Sequence, residues 1–290
     1  MRMLKRRATH LSLLGGLAVG ALAALPAHAT TTLSATSSAT SSATVRVVGG
    51  LLQLDYIGSA GANNVLITLE AGTNALRVSD SVAIAPGAGC VPVTGDPTTV
   101  RCSVGITRIA ARMGAGADAF TTLVPLSGTV EGDGGDDTFR PGRSEGSVGA
   151  ATSEIMYVGG LGEDTATYQG VPATGPTGTT GVRVSLDFAH NDGRDADGAR
   201  PADRDNVQVE NLIGGSFGDN LSGDAQRNEL TGGNGRDTLS AGRGDDVIDL
   251  RDGVADHLSF CGEGTGDLAI ADRAALDAVS VDCETIQRAG

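Results

Sequence analysis

Apolar positions along this chain fall in short alternating runs, not in helical stripes. From Thr44 onward, TVRVVGG, LLQLDYIG, NNVLITLE and NALRVSD carry β-branched or aliphatic residues at alternate positions and break at glycine, asparagine or aspartate. That period predicts half-buried strands joined by turns. GVRVSLDF from Gly181 reads the same way. Between Gly214 and Leu250 the pattern becomes a strict period of nine residues, with Leu221, Leu230, Leu239 and Ile248 recurring in phase. Only ADRAALDAV, from Ala271 to Val279, predicts a helix, and a short one. An all-β architecture of right-handed parallel coils follows.

The polar positions keep the same period. The four units GGSFGDNLS, GDAQRNELT, GGNGRDTLS and AGRGDDVID begin with a small residue and place Asp219, Asn228, Asp237 and Asp246 sixth. An acid and an aliphatic residue in one strict period signal stacked β structure that binds calcium. The aliphatic side chain buries against the next coil, glycine permits positive φ, and carboxylate and turn carbonyls are hard oxygen donors. A glycine-rich linker has no reason to place an aliphatic residue every nine positions, and a metal-free β-helix needs no acid in every turn. Units starting at Met113, Gly132 and Gly159 add Asp118, Asp137 and Asp164. The starts at 132 and 159 lie three nonamers apart, so one register is expected between them. The tail unit CGEGTGDL from Cys261 has Gly266 where the acid belongs, a departure that counts against calcium binding at the last coil. Phe217 and Arg227 stand where other units have an inner glycine, so the turns before Asp219 and Asn228 are expected to be irregular.

These units resemble the repeats-in-toxin nonapeptide family, G-G-x-G-x-D-x-U-x, also known as haemolysin-type calcium-binding repeats. The resemblance implies a β-roll or β-helix solenoid. In it, the first six residues of a unit form a calcium-binding turn, the last three form a strand, and two units make a coil. Asp219 would stack with Asp237 in one row, and Asn228 with Asp246 in the opposite row. Calcium is the implied cofactor. Its implied ligands are Asp118, Asp137, Asp164, Asp219, Asn228, Asp237, Asp246 and Asp256, with turn residues Gly214, Gly232, Gly235 and Gly244. The ending from Cys261 through VDCETI resembles the disulfide-closed C-terminal cap of secreted actinobacterial repeat proteins. The region from Val45 to Met113 resembles their N-terminal parts, less specifically.

Four segments are expected. Residues 1–29 read as a signal peptide: a basic start, an apolar stretch too short for a membrane span, and Ala27-His28-Ala29 before the cleavage point. Residues 30–44 form a Ser/Thr/Ala linker, 45–128 an N-terminal β region, and 129–290 the calcium-binding repeats and cap. The chain carries 21 basic and 35 acidic residues, a net charge of −14, and losing the four cations of the leader would take it to −18. That balance disfavours nucleic acid and anionic membranes as partners, and no membrane insertion is expected. Cys90, Cys102, Cys261 and Cys283 allow three pairings in a secreted chain. Locality favours Cys90–Cys102 and Cys261–Cys283, each stabilising its loop by about 3 kcal/mol.

Catalytic constellations are missing from the sequence. It holds neither H-E-x-x-H nor G-x-S-x-G, and its single lysine, Lys5, lies in the leader. The favoured reading is a secreted, non-enzymatic calcium-binding solenoid with a structural or adhesive role toward a cell surface or extracellular polymer. The alternative is a calcium-dependent β-helix lyase or epimerase acting on polysaccharide. It would draw its base from Arg183, Arg227 or Arg243, none with aromatic company in the sequence. Asp192, Asp195, Asp197, Asp203 and Asp205 are favoured as a solvated acidic loop over a further calcium site.

Overall fold

The computed structural model describes residues 39–141, 153–171, 180–194 and 203–288. The expected leader lies outside these residues. Every regular element within them is a strand, so no helix there is long and apolar enough to cross a membrane. The strands form sheets of seven, twelve and five. Along the chain, strands of the twelve-stranded sheet alternate first with the seven-stranded and then with the five-stranded sheet.

Pairing within the repeats is parallel and in register. Val130 pairs with Ala111 on one side and Tyr157 on the other, and Phe139 lies between Phe120 and Ala166. Farther on, Leu221 pairs with Leu239, Leu212 with Leu230, and Leu230 with Ile248. Each of these aliphatic residues is buried and belongs to one continuous core. Aromatic rings fill the wider coils: Phe139 and Phe120 approach Tyr157 with ring centroids 5.6 and 6.3 Å apart. Short strands of three to six residues suffice, because each contributes one or two side chains to a ladder that runs through many coils.

The N-terminal end is built differently. Ser41–Val48 pairs antiparallel with Leu51–Ile57, and Asn64–Leu69, Ala75–Ser79 and Asp96–Val104 form an antiparallel series. Cys90 and Cys102 are direct antiparallel partners and form a disulfide; Cys261 and Cys283 form the second.

Four expectations need correction. The presumed linker already enters a strand at Ser41, whose buried hydroxyl donates to Asp80 Oδ2 at 2.7 Å and Asn63 Oδ1 at 3.0 Å. Residues 271–279 form a turn rather than a helix, because Asp277 is drawn inward to accept the Asp272 N–H at 2.5 Å. The units at 132 and 159 do not lie three half-coils apart: Val130 pairs directly with Tyr157, so the 27 residues between them make one coil with an insertion. The acidic loop is not wholly solvated. Asp192, Asp203 and Asp205 are buried, and Asp203 Oδ2 accepts Arg194 Nε–H at 2.8 Å. Asp195 and Asp197 lie outside the described residues.

Because Leu239 stacks between other coils with no exposed surface, Leu239→Ala should cost about 2–5 kcal/mol. Urea unfolding is the check, and a loss below about 1 kcal/mol would contradict this packing.

Candidate metal centre

Most repeat turns end in an acid whose side chain reaches back one coil; Asn228 is the exception. Asp137 Oδ1 accepts the Asp118 N–H at 2.8 Å, Asp164 Oδ1 the Asp137 N–H at 2.8 Å, and Glu210 Oε2 the Asp164 N–H at 2.9 Å. Asn63 starts this row, donating its N–H to Asp118 Oδ1 at 2.6 Å. The row resumes with Asp246 accepting from Asn228 at 2.7 Å, Asp267 from Asp246 at 2.8 Å, and Glu284 from Asp267 at 3.0 Å. A second row occupies another corner. There Asp219 accepts the Val182 N–H at 2.6 Å, Asp237 the Asp219 N–H at 2.8 Å, and Asp256 the Asp237 N–H at 2.8 Å. The structure thus pairs Asp219 with Asp237 and Asn228 with Asp246 on separate rows, as their spacing requires.

The second carboxylate oxygen is where the chemistry lies. Oδ2 of Asp118, Asp137, Asp164, Asp246, Asp256 and Asp267 is buried with no hydrogen-bond partner. Uncompensated burial of such an atom is costly. It shows in the acidities: burial, partly offset by the backbone N–H, raises Asp118, Asp137, Asp164, Asp237 and Asp246 to about 6 and Asp256 to about 7. Asp219 also rises to about 7, again chiefly through burial. Nearby arginines face outward instead: Arg227 pairs with Glu163 at 3.6 Å and Arg243 with Glu263 at 3.0 Å, all four exposed. Neither arrangement adds an aromatic subsite.

Glycine makes room for these oxygens. A Cβ on Gly132 would lie 2.0 Å from Asp137 Oδ2 and 2.5 Å from the Gly159 carbonyl oxygen. One on Gly214 would meet the Gly232 carbonyl at 2.1 Å and Asp219 Oδ2 at 2.5 Å. Carboxylate and carbonyl oxygens therefore converge between coils. The inner glycines Gly235 and Gly244 have φ of 139° and 119°, and a Cβ on either would also meet the preceding coil, 2.7 Å from the Phe217 carbonyl oxygen and 2.4 Å from that of Gln226. Among the described residues no three Asp, Glu, His or Cys side chains gather as a metal site. A cation here must draw on main-chain carbonyls as well, an all-oxygen donor set that suits calcium and not a softer metal. Bound calcium would neutralise adjacent carboxylates and link successive turns.

Several rungs escaped the sequence reading. Asp267 supplies the acid that Gly266 lacks, because the tail turn is one residue longer. Glu210 and Glu284 serve as rungs through a longer side chain, outside any glycine-rich unit. Their only signal is a spacing of 17 or 18 residues from a neighbouring rung, Glu210 to Asn228 and Asp267 to Glu284.

No curated protein matches the chain. Residues 213–248 match the family model of the RTX calcium-binding nonapeptide repeat, in four copies, so this segment is similar to that repeat family.

Proposed function

We propose that this chain is an extracellular calcium-binding scaffold: a right-handed solenoid with a disulfide-closed C-terminal end, without catalytic activity, whose coils tighten when calcium enters the turns. One observation carries the reading. Six buried carboxylates in these rows, those of Asp118, Asp137, Asp164, Asp246, Asp256 and Asp267, each keep an oxygen that nothing in the protein satisfies, and Asp246 lies in a turn that matches a calcium-binding repeat. Two disulfides and the signal-like leader support an oxidising, extracellular setting. The structural or adhesive role toward a cell surface or extracellular polymer rests on the repetitive, acidic surface.

Calcium binding is coupled to folding in this reading, because the cation replaces carboxylate repulsion with shared ligation. Titrating the chelated protein with calcium should raise its melting temperature and sharpen the β signal in circular dichroism, saturating near millimolar calcium. No bound calcium, or identical melting in chelator and millimolar calcium, would refute it.

The acidities set the pH dependence. In the folded, metal-free chain these aspartates bind protons more tightly than in the unfolded chain. Stability of that form therefore falls as pH rises from about 4 through 7. Calcium needs the deprotonated carboxylates, so its stabilisation grows over the same range. The melting temperature in chelator should be higher near pH 5 than near pH 8, while the increment from calcium should be larger near pH 8. Melting curves in chelator that improve steadily toward pH 8 would contradict these acidities.

A further inference from the structure

Building on the calcium reading, we propose that the cations bypass the first two of the four matched repeats. They occupy instead the turns at Asp118, Asp137 and Asp164, outside the matched segment, and the pair at Asp246 and Asp267.

The turns divide by backbone shape. In turn 159–164 the second and fourth residues, Gly160 and Gly162, have φ of 121° and 141°. Turns 113–118, 132–137, 232–237 and 241–246 repeat the pattern, with Asp133 at 70° in the second place of one of them. In four of these five turns, those of Asp118, Asp137, Asp164 and Asp246, the acid keeps a buried Oδ2 without a partner. Asp267 does the same in the longer tail turn, where a Cβ on Gly264 would meet the Gly244 carbonyl at 2.1 Å and Asp267 Oδ1 at 2.4 Å. The five side chains are at most 3% exposed. Each keeps an unsatisfied carboxylate oxygen between coils; glycine makes room for it at Gly132 and Gly159, while Met113 and Ala241 hold that place before Asp118 and Asp246.

Turns 214–219 and 223–228 are closed from within. Phe217 and Arg227 hold the fourth place, and neither they nor the second residues, Gly215 and Asp224, take positive φ. In that shape the second residue's N–H turns onto the sixth side chain. Gly215 donates to Asp219 Oδ2 at 2.5 Å, and Asp224 donates to Asn228 Oδ1 at 2.9 Å. Asp219 then has both oxygens taken, since Val182 N–H holds Oδ1. Asn228 spends its amide too, donating Nδ2–H to the Glu210 carbonyl at 3.0 Å. A proton donor stands where an open turn would need a cation. The ligand of the open turns is a hard divalent ion of calcium's size, taking one or two carboxylates and several carbonyls.

Calorimetric titration of the full chain with calcium, counting ions per folded molecule, tests the assignment. Asp137→Asn should bind at least one ion fewer than the parent, and Asp219→Asn the same number. Asn228→Asp should gain none, because the turn is closed by its backbone; adding Arg227→Gly to it should open the turn and gain one. Loss of an ion in Asp219→Asn, gain of one in Asn228→Asp alone, or an unchanged count in Asp137→Asn would overturn it. Should Asp137→Asn not fold, Asn228→Asp with and without Arg227→Gly decides by itself. A parent chain that binds no calcium would overturn the calcium reading itself, a distinct result from calcium bound in the wrong turns.

Discussion

A turn N–H in one coil bonded to a carboxylate in the next is the contact that organises this protein. It recurs from Asn63 to Glu284 with distances of 2.6–3.0 Å. It satisfies a buried donor that no strand can reach, because the turn has left the sheet. It also commits the molecule to burying an anion in nearly every coil. An apolar ladder of Leu212, Leu230, Ile248 and Ala269 runs alongside and supplies the favourable burial against which that cost is set. The two ladders share one period, and so the chain cannot shift its coils to relieve one without losing the other.

Much of this was legible in the sequence because the period is short and strict. Leu221 and Leu239 had to meet if two units make a coil, and they do. The rows of acids followed from the same count. What escaped was whatever broke the count. Asp267 hides behind one inserted residue, and Glu210 and Glu284 behind the absence of glycine. The spacing from Asp137 to Asp164, 27 residues, is a multiple of nine, so it imitated a register that the parallel pairing does not have. At residues 271–279 local helical propensity lost to a tertiary demand, the burial of Asp277. Asp192 and Asp205 looked like loop residues because charge density suggested solvent. In the structure each accepts backbone N–H groups, Asp192 from Ser185 and Val207 and Asp205 from Ile155.

Glycine in these turns answers two demands, room for a neighbouring coil and freedom of φ, and the inner glycines meet both at once. At Gly132 and Gly214 the space of a Cβ is already occupied by oxygen atoms. At Gly235 and Gly244 the backbone takes a path that a side chain opposes, and the Cβ space is also taken, by Phe217 and Gln226 backbone atoms of the preceding coil. With Phe217 and Arg227 in the inner place the positive φ is gone, and these turns keep their place in the stack but fold onto their own sixth residue. A repeat can therefore keep its place in the period while its turn changes chemistry, and similarity to the consensus measures stacking better than it measures ligation.

The rungs also have a direction. From Asn63 to Asp118, Asp118 to Asp137, Asp219 to Asp237 and Asp246 to Asp267, the earlier residue gives the N–H and the later one gives the carboxylate. No turn in either row can be completed by what precedes it in the chain. A polypeptide emerging N-terminus first, from a ribosome or through a pore, therefore presents coils that wait for acids still to come. Closure runs backward along the stack, against the order of emergence, and the last acceptor, Glu284, lies beside the strand Thr285–Arg288 that ends the twelve-stranded sheet. The timing of assembly is written into the polarity of a hydrogen bond.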